Sequence, residues 1–254
     1  MLPSGPSFSI ILYIRYFCKR RPMKKLLLSV VVLCAFAVCG QAGNIADNFK
    51  ANYSASANLS AYNTDMNTLL GVADFHTGKG ATFPGVDFGA TFSAVKPADD
   101  KLFGGDNLVL IPVVYAETAI PFINTGVVLR GTTFNGFNST GVGLKHHFDI
   151  LQLVNLSTAL FYDHGWTDYY TTDHYSASAV VSVGLLVVTP FVGVGYDYGH
   201  LRTKNVDPYR STHDGSWRAT MGVNFSPLPL LHGYISYTKT EYNQGFNGGV
   251  GLSF

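Results

Sequence analysis

The most regular alternation in the chain is VNLSTALFYD, residues 154–163. Its alternate positions carry a mainly apolar set and a polar set: Val154, Leu156, Thr158, Leu160 and Tyr162 against Asn155, Ser157 and Asp163. Because successive side chains of a β-strand point to opposite faces, this pattern predicts a strand with one apolar and one polar face.

The same period of two returns in ten segments after Gly80. They begin near Val86, Leu108, Gly126, Gly141, Val154, Ser176, Val192, Trp217, Leu231 and Phe246. Segments of about ten alternating residues separated by turns are typical of a transmembrane β-barrel. We therefore predict an all-β fold, a transmembrane antiparallel up-and-down β-barrel of about ten strands, with eight or twelve as alternatives. Pro112 would remove a ladder hydrogen bond from the second strand, which predicts a bulge or a break there.

The composition fits strands that face lipid. Charged residues make up 13% of the chain, where about 25% is usual for a soluble domain. Aromatic residues make up 14%. Several tyrosines and tryptophans near strand ends are predicted to form interfacial girdles: Tyr162, Trp166, Tyr196, Tyr198, Trp217, Tyr234 and Tyr237.

The amino-terminal residues have the layout of a cleaved signal peptide. Lys24 and Lys25 precede the apolar run 26–38, and small residues follow at Gly40 and Ala42. This predicts a start at Met23, a signal peptide at 23–42 and, at 1–22, an extension from a misassigned start codon. The run is too short for a helix that spans a membrane, which needs roughly 20 residues.

The exported part of the chain differs from its leader in charge and in cysteine content. The leader holds six of the 17 basic and none of the 16 acidic residues, so the remainder has a formal charge of 11 − 16 = −5. With no basic patch, nucleic-acid binding is not expected. All three cysteines, Cys18, Cys34 and Cys39, lie in the leader. Lipid attachment at Cys39 is the alternative to cleavage after Ala42, but the bulky Val38 before it argues against that alternative.

Residues 43–80 precede the barrel, which is assigned to residues 81–254. Within 43–80, apolar side chains occur at roughly helical spacing: Ile45, Phe49, Tyr53, Leu59, Tyr62, Met66 and Leu69. We interpret it as a helical plug or periplasmic segment, with a pair of short strands as the rival.

The connections between strands give a second test of the strand count. Every second connection is short, at 120–124, 150–153, 187–190 and 226–230, whereas alternate ones include the polar stretches 96–107, 164–174 and 199–215. Bacterial barrels have short periplasmic turns and longer outer loops. Ten strands then place both ends of the barrel in the periplasm.

The last eight residues resemble the assembly signal of bacterial outer-membrane β-barrel proteins. Asn247, Gly249, Leu252 and Phe254 fall on its polar, glycine, hydrophobic and terminal aromatic positions. The resemblance implies a location in the outer membrane, contact with its lipids and recognition of this strand by the barrel assembly machinery. The plug that precedes the barrel also resembles that of the fatty-acid transporter group, although this chain is shorter.

The strand phases predict charged residues in the lumen: Asp87, Arg130, Lys145, Asp163, Asp197 and Arg218. A barrel of ten strands encloses little space, so a packed ionic core and a narrow or gated path are both open. The function expected first is a passive channel or transporter for small or apolar solutes. A structural or surface-adhesion barrel is the alternative.

A surface hydrolase is the third and least favoured function. It would use neighbouring acids and histidines in outer loops: Asp163 with His164, Asp173 with His174, and His213 with Asp214. An Asp can orient a His as a general base, but neighbouring strand residues point to opposite faces, so only groups from different loops could cooperate. The histidines lack a compact ligand spacing, and neither a metal nor a cofactor is expected.

Overall fold

A computed structural model describes residues 44–75, 84–150, 153–228 and 230–254. The predicted start codon, signal peptide and cleavage site concern residues 1–42, which lie outside the described residues. No described helix is long and apolar enough to cross a membrane.

The described chain contains two α-helices, one short 3-10 helix at Lys101–Phe103 and ten strands. The helices, which we name α1 and α2, span Ile45–Asn52 and Leu59–Gly71. The strands are β1 (Val86–Lys96), β2 (Val109–Ala119), β3 (Thr125–Phe134), β4 (Phe137–Asp149), β5 (Val154–Trp166), β6 (Tyr170–Val183), β7 (Val188–Thr203), β8 (Ser211–Leu228), β9 (Leu231–Thr240) and β10 (Gln244–Ser253). The predicted count of ten strands is confirmed.

The sheet closes into a barrel because β1 pairs with β10. Each strand pairs antiparallel with its neighbours in sequence, and β1 runs against β10 from Asp87 opposite Ser253 to Lys96 opposite Gln244. At the seam, the Val86 amide donates to the Phe254 carbonyl at 3.0 Å and the Phe254 amide donates to the Val86 carbonyl at 2.8 Å. We call this end of the barrel the lower end and the opposite end the upper end.

The outer surface of the barrel is apolar. Val114, Leu129 and Ile235, on three different strands, are 63%, 59% and 62% exposed. A row of outward tyrosines, Tyr162, Tyr175 and Tyr198, crosses β5, β6 and β7 toward the upper end. The prediction that Tyr234 belongs to such a girdle is wrong. It is buried in the lumen, where its hydroxyl donates to Thr91 Oγ1 at 2.7 Å.

The strands extend further toward the upper end than the alternation indicated. The predicted loops 164–174 and 199–215 are mainly strand, and the connections there are only 167–169 and 204–210. The third and fourth lower connections also shift, to 184–187 and 229–230, because β7 begins at Val188 and β8 continues to Leu228. The upper connections are therefore short, apart from 97–108.

The bulge or break predicted within β2 is not observed. Pro112 lies in a continuous strand, paired with Phe92 of β1. Pairing of β2 with β3 begins only at Val114, so the missing N–H at Pro112 disrupts no ladder on that side. The register irregularity of the barrel falls instead between Phe225 and Leu228 of β8.

Candidate functional site

Residues 44–75, which we call the plug, begin at the upper end of the barrel. The amide of Ile45 donates to the carbonyl of Asn135, in the β3–β4 turn, at 3.0 Å. Asn135 and Gly136 have φ values of 47° and 77°, as an Asn-Gly hairpin turn requires. A Cβ on Gly136 would lie 2.7 Å from Oδ1 of Asn44. The turn therefore needs glycine both for its backbone and for the close approach of α1.

Apolar packing closes the upper end. The ring centroid of Phe49, on α1, lies 4.8 Å from that of Tyr170, and the centroid of Tyr62, on α2, lies 4.5 Å from that of Phe103. The Tyr62 hydroxyl donates to the Tyr170 hydroxyl at 2.8 Å. All four side chains are buried in one cluster, so both plug helices are anchored to the barrel wall here.

The turn between the plug helices is tied to the β7–β8 connection. Arg210 Nη1 donates to the carbonyls of Ala55 and Ala57 at 3.1 and 2.9 Å. Tyr53 donates its hydroxyl to the Pro208 carbonyl at 2.7 Å. The plug thus contacts the upper connections as well as the wall.

Helix α2 descends inside the lumen, and residues 62–71 are all buried. Its apolar side chains belong to the same cluster as Val95 and Ile111 of the wall, and its polar side chains make hydrogen bonds to the wall and to the upper connections. Asn63 Nδ2 donates to the Gly199 carbonyl at 3.0 Å, and Thr68 Oγ1 donates to Asn243 Oδ1 at 3.1 Å. Near the top of the helix, Ser60 Oγ donates to Asp214 Oδ1 at 2.7 Å. The helical interpretation of the plug is confirmed, and the pair of short strands is wrong.

Asp65 is a buried acid on α2. Its Oδ1 and Oδ2 accept from the Ala98 amide at 2.9 and 3.0 Å, and Oδ1 accepts from Asn243 Nδ2 at 2.7 Å. Burial raises the pKa of Asp65 to about 6, although the hydrogen bonds from Asn243 and Ala98 oppose this rise. Above that pH the carboxylate links the plug to two upper connections, β1–β2 and β9–β10.

Below α2, Asp74 meets a group of wall side chains at mid-lumen. Its Oδ1 accepts from Arg130 Nη1 at 2.9 Å. Its Oδ2 accepts from Ser178 Oγ at 2.8 Å, from Arg218 Nη2 and from Ser176 Oγ. Burial acts to raise the pKa of Asp74, but the Arg218 and Arg130 guanidiniums outweigh it and hold this pKa well below its usual value. Asp74 is therefore an anion at any ordinary pH.

The wall groups around Asp74 are also paired with one another. Arg130 donates from Nε and Nη2 to the two oxygens of Asp163 at 2.7 and 2.6 Å, and Arg218 Nη1 lies 3.0 Å from Asp197 Oδ1. His174 lies between the two acids, with Nδ1 3.0 Å from Asp163 Oδ2 and Nε2 3.1 Å from Asp197 Oδ1. We call the set the lumen cluster: Asp74, Arg130, Asp163, His174, Ser176, Ser178, Asp197 and Arg218.

The charges of the lumen cluster sum to zero. Carboxylates can only accept hydrogen bonds, so both ring nitrogens of His174 must donate, as in an imidazolium. Two guanidiniums and one imidazolium then face three carboxylates, one of which is supplied by the plug. Such mutual pairing is what burial of several charges requires.

The structure places all six sequence-predicted lumen residues in the barrel interior, at 0–8% exposure. Four of them meet in the lumen cluster: Arg130, Asp163, Asp197 and Arg218. Lys145 lies apart and pairs with Glu117 through an Nζ–Oε2 distance of 2.8 Å. Asp87 lies near the lower end, where Ser253 Oγ donates to its Oδ2 at 3.2 Å.

Sequence reasoning did not assign Asp74, His174 or Glu117 to the lumen. The phase of β6 could have found His174, because it shares a face with Ser176 and Ser178. The sequence has no comparable signal for Asp74, because it follows α2 and its position depends on the path of the plug through the lumen.

The acid and histidine pairs predicted for outer loops lie in strands instead. Asp163 and His174 face each other inside the lumen, whereas His164 and Asp173 face each other outside, with Nδ1 2.8 Å from Oδ1. His213 lies in β8, opposite His200. Because both nitrogens of His174 already face carboxylates, it cannot act as a general base.

A metal site does not emerge from these histidines. The rings of His200 and His213 have centroids 5.4 Å apart. Within the described ranges, no group of three or more His, Cys, Asp or Glu side chains could hold a metal ion.

The carboxy-terminal motif residues lie on both faces of β10. Asn247 is buried, and its Nδ2 donates to Thr91 Oγ1 and the Phe92 carbonyl, both at 2.9 Å. A Cβ on Gly249 would lie 2.8 Å from the Ala90 carbonyl oxygen. Leu252 is partly exposed, and Phe254 is 65% exposed on the outside. The motif thus combines an inward polar anchor with an outward aromatic end.

A cavity of about 10 Å³ adjoins the lumen cluster, between Gly71, Phe191 and Thr220. A space of this size holds about one water molecule at most. In this conformation the cavity has no room for a solute, because the plug occupies the lumen beside it.

A closed antiparallel barrel with an apolar outside and a charged inside is the architecture of bacterial outer-membrane β-barrel proteins. No protein-family model matches the chain, and no curated protein matches it. Among solved structures, the N-terminal β-barrel domain of Pseudomonas aeruginosa OprF is 14% identical with a TM-score of 0.39, over 67% of this chain and 97% of that one. Ail, the attachment invasion locus protein of Yersinia pestis, is 16% identical with a TM-score of 0.34, over 67% and 97%. The KdgM porin is 8% identical with a TM-score of 0.34, over 67% and 99%. Similarities this low concern the barrel fold alone.

Proposed function

We propose that this protein is a gated outer-membrane channel for small solutes, and that the plug is its gate. The observation that supports this proposal is that α2 occupies the lumen and makes hydrogen bonds to the wall beside its apolar contacts. In the proposed orientation the lower end faces the periplasm, the upper end faces the outside and lipids surround the apolar outer surface. The plug then closes the channel from the outside inward.

Part of the wall around the plug is apolar, but much of it is polar and suits water. Its buried side chains include many hydroxyl and charged groups: Thr91, Ser93, Glu117, Arg130, Lys145, Ser157, Asp163, Ser176, Ser178, Asp197, Arg218, Ser236 and Thr238. Replacing buried ion pairs by apolar side chains is often neutral or stabilising, so their presence is weak support for a purely structural interior. Water entering a vacated lumen would hydrate these groups and lower the free-energy cost of opening.

The occupied lumen argues against a permanently open pore. The short upper connections argue against the surface-adhesion alternative, because 97–108 and 204–210 are the only ones longer than three residues. A purely structural barrel remains the competing function. A gated channel and a purely structural barrel differ in whether movement of the plug admits ions.

A disulfide between plug and wall tests this difference. The exported chain lacks cysteine, so Ser60→Cys with Asp214→Cys, whose native side-chain oxygens lie 2.7 Å apart, introduces a single pair. In planar bilayers we expect the wild type to show brief, infrequent unitary steps as the plug leaves and returns. The oxidised variant should be silent, and reduction should restore the steps.

The matched control is a disulfide within the wall. Thr220→Cys with Thr238→Cys joins β8 to β9, where the two hydroxyl oxygens lie 2.8 Å apart, and leaves the plug free. Its steps should be the same before and after reduction. Conductance that persists in the oxidised plug variant would contradict the gate, and silence of the wild type and of every reduced variant would favour the structural barrel.

The carboxy-terminal strand is proposed to be the contact for the barrel assembly machinery. Deleting Phe254 removes the seam hydrogen bonds to Val86 and the outward aromatic ring. We expect the deletion to reduce the heat-modifiable, folded barrel in the outer membrane and to leave export across the inner membrane unchanged. Pulse labelling followed by unheated electrophoresis measures both, and a normal folded fraction would count against the assignment.

A further inference from the structure

We infer that the lumen cluster is a binding site for small carboxylate anions, which the plug residue Asp74 occupies as an internal ligand. This inference rests on the proposed function, because it makes small organic anions the solutes that the opened barrel would recognise. The ligand class follows from the chemistry that the wall presents to Asp74.

The wall supplies the hydrogen-bond donors to the Asp74 carboxylate. Arg130 on β3 donates to Oδ1 at 2.9 Å. Arg218 on β8 and the two serines of β6, Ser176 and Ser178, donate to Oδ2. Three strands therefore converge on two oxygens of one carboxylate. Guanidinium and hydroxyl donors that meet in this way are the usual recognition elements for carboxylates.

These donors are buried in the barrel interior and do not form a surface patch. Arg130 and Arg218 are 8% and 5% exposed, and Ser176 is 5% exposed. Arg130 is fixed from two further sides, by the bidentate pair with Asp163 and by the ring of Phe161, whose centroid lies 4.0 Å from the guanidinium carbon. Contacts with the wall itself thus position Arg130, in addition to its contact with the plug.

Charge balance gives a second, independent argument. When Asp74 leaves, the wall retains the Arg130 and Arg218 guanidiniums and the His174 imidazolium against two carboxylates, Asp163 and Asp197. The vacated site then carries a net charge of +1. A net positive charge inside a narrow lumen attracts anions, so the open barrel favours an anion in the place of Asp74. A solute carboxylate and Asp74 cannot occupy that place together, which couples solute binding to withdrawal of the plug.

The test is chemical rescue of full-length Asp74→Ala with formate, which replaces the lost carboxylate. We expect the substitution to lower the thermal unfolding midpoint, and formate to restore it with saturation, as a ligand specific for the folded state does. Formamide, which is neutral and similar in shape, and chloride at equal ionic strength should restore little. Asp65→Ala is the matched control, because it removes a buried plug acid that accepts from backbone amides and from Asn243 Nδ2.

Rescue of Asp74→Ala alone supports the carboxylate site. An equal effect of formate on Asp74→Ala, Asp65→Ala and the wild type would overturn it. If Asp74→Ala does not fold, a second measurement uses the Met66→Cys variant with Asp74 intact. There formate, unlike chloride, should accelerate thiol labelling by competing with Asp74, and no acceleration would overturn the site. Neither readout requires conductance, so formate rescue in a barrel that never conducts would contradict the proposed gate and leave the anion site standing.

Discussion

Replacing Arg130 with methionine is expected to lower the free energy of unfolding by about 3–5 kcal/mol, the usual cost of removing one partner from a buried ion pair. Methionine keeps most of the side-chain length but leaves Asp163 without its bidentate donor and Asp74 without its contact at Oδ1. Both acids are 1% exposed, so water cannot replace the lost hydrogen bonds. Urea unfolding of the purified protein in lipid vesicles measures the change.

Arg202→Met is the matched control for this substitution. Arg202 also forms an ion pair, with its Nη2 2.6 Å from Asp173 Oδ2, but its side chain is 45% exposed on the outside of the barrel. Exposed pairs contribute about 0–1 kcal/mol, so this variant should unfold much like the wild type. Equal losses in the two variants would show that the lumen cluster has no special part in stability.

Replacing Gly71 with leucine is expected to displace the plug while leaving the wall sequence intact. A Cβ at this position would lie 2.0 Å from Arg218 Nη1 and 2.4 Å from Asp197 Oδ1. Overpacking of this kind typically costs 1–3 kcal/mol, occasionally more. We expect the plug helix α2 to leave the lumen more often, because the substitution acts on the contact between plug and wall.

A single cysteine at Met66 reports this movement. Met66 is fully buried on α2, and residues 43–254 contain no native cysteine. In the Met66→Cys background, Gly71→Leu should accelerate thiol labelling about tenfold or more, which corresponds to ~1.4 kcal/mol of docking free energy. Ala55→Leu, at an exposed position of the plug, should leave the rate unchanged. Equal rates in the two variants would mean that Gly71 does not control docking.

The sequence predicted the strands well where one face of a strand is apolar, and less well beyond it. Along 154–163 the outer face is mainly apolar, so hydrophobicity alternates and the lumen position of Asp163 could be predicted. Above that level both faces of β5 and β6 carry polar side chains such as His164 and Asp173. The alternation disappears there although the strands continue, which is why 164–174 resembled a loop.

Which residues meet in the lumen cluster was harder to predict than the strands that carry them. Asp163 lies opposite His174 because of the register between β5 and β6. The turn 167–169 sets this register, and the hydrophobic pattern does not. The helical spacing of 45–69 predicted the plug helices. It could not place Asp74 between Arg130 and Arg218, because that contact joins residues distant in sequence and requires the path of the plug through the closed barrel.

The gate itself is tested most directly by recording Gly71→Leu and the wild type in the same planar bilayers. If the plug is the gate, Gly71→Leu gives frequent unitary steps of uniform size and the wild type gives only rare ones, since the same lumen is vacated more often. A Gly71→Leu variant whose Met66→Cys thiol is rapidly labelled, and which nevertheless passes no current, would show that an empty lumen is not a channel and would contradict the proposed gate.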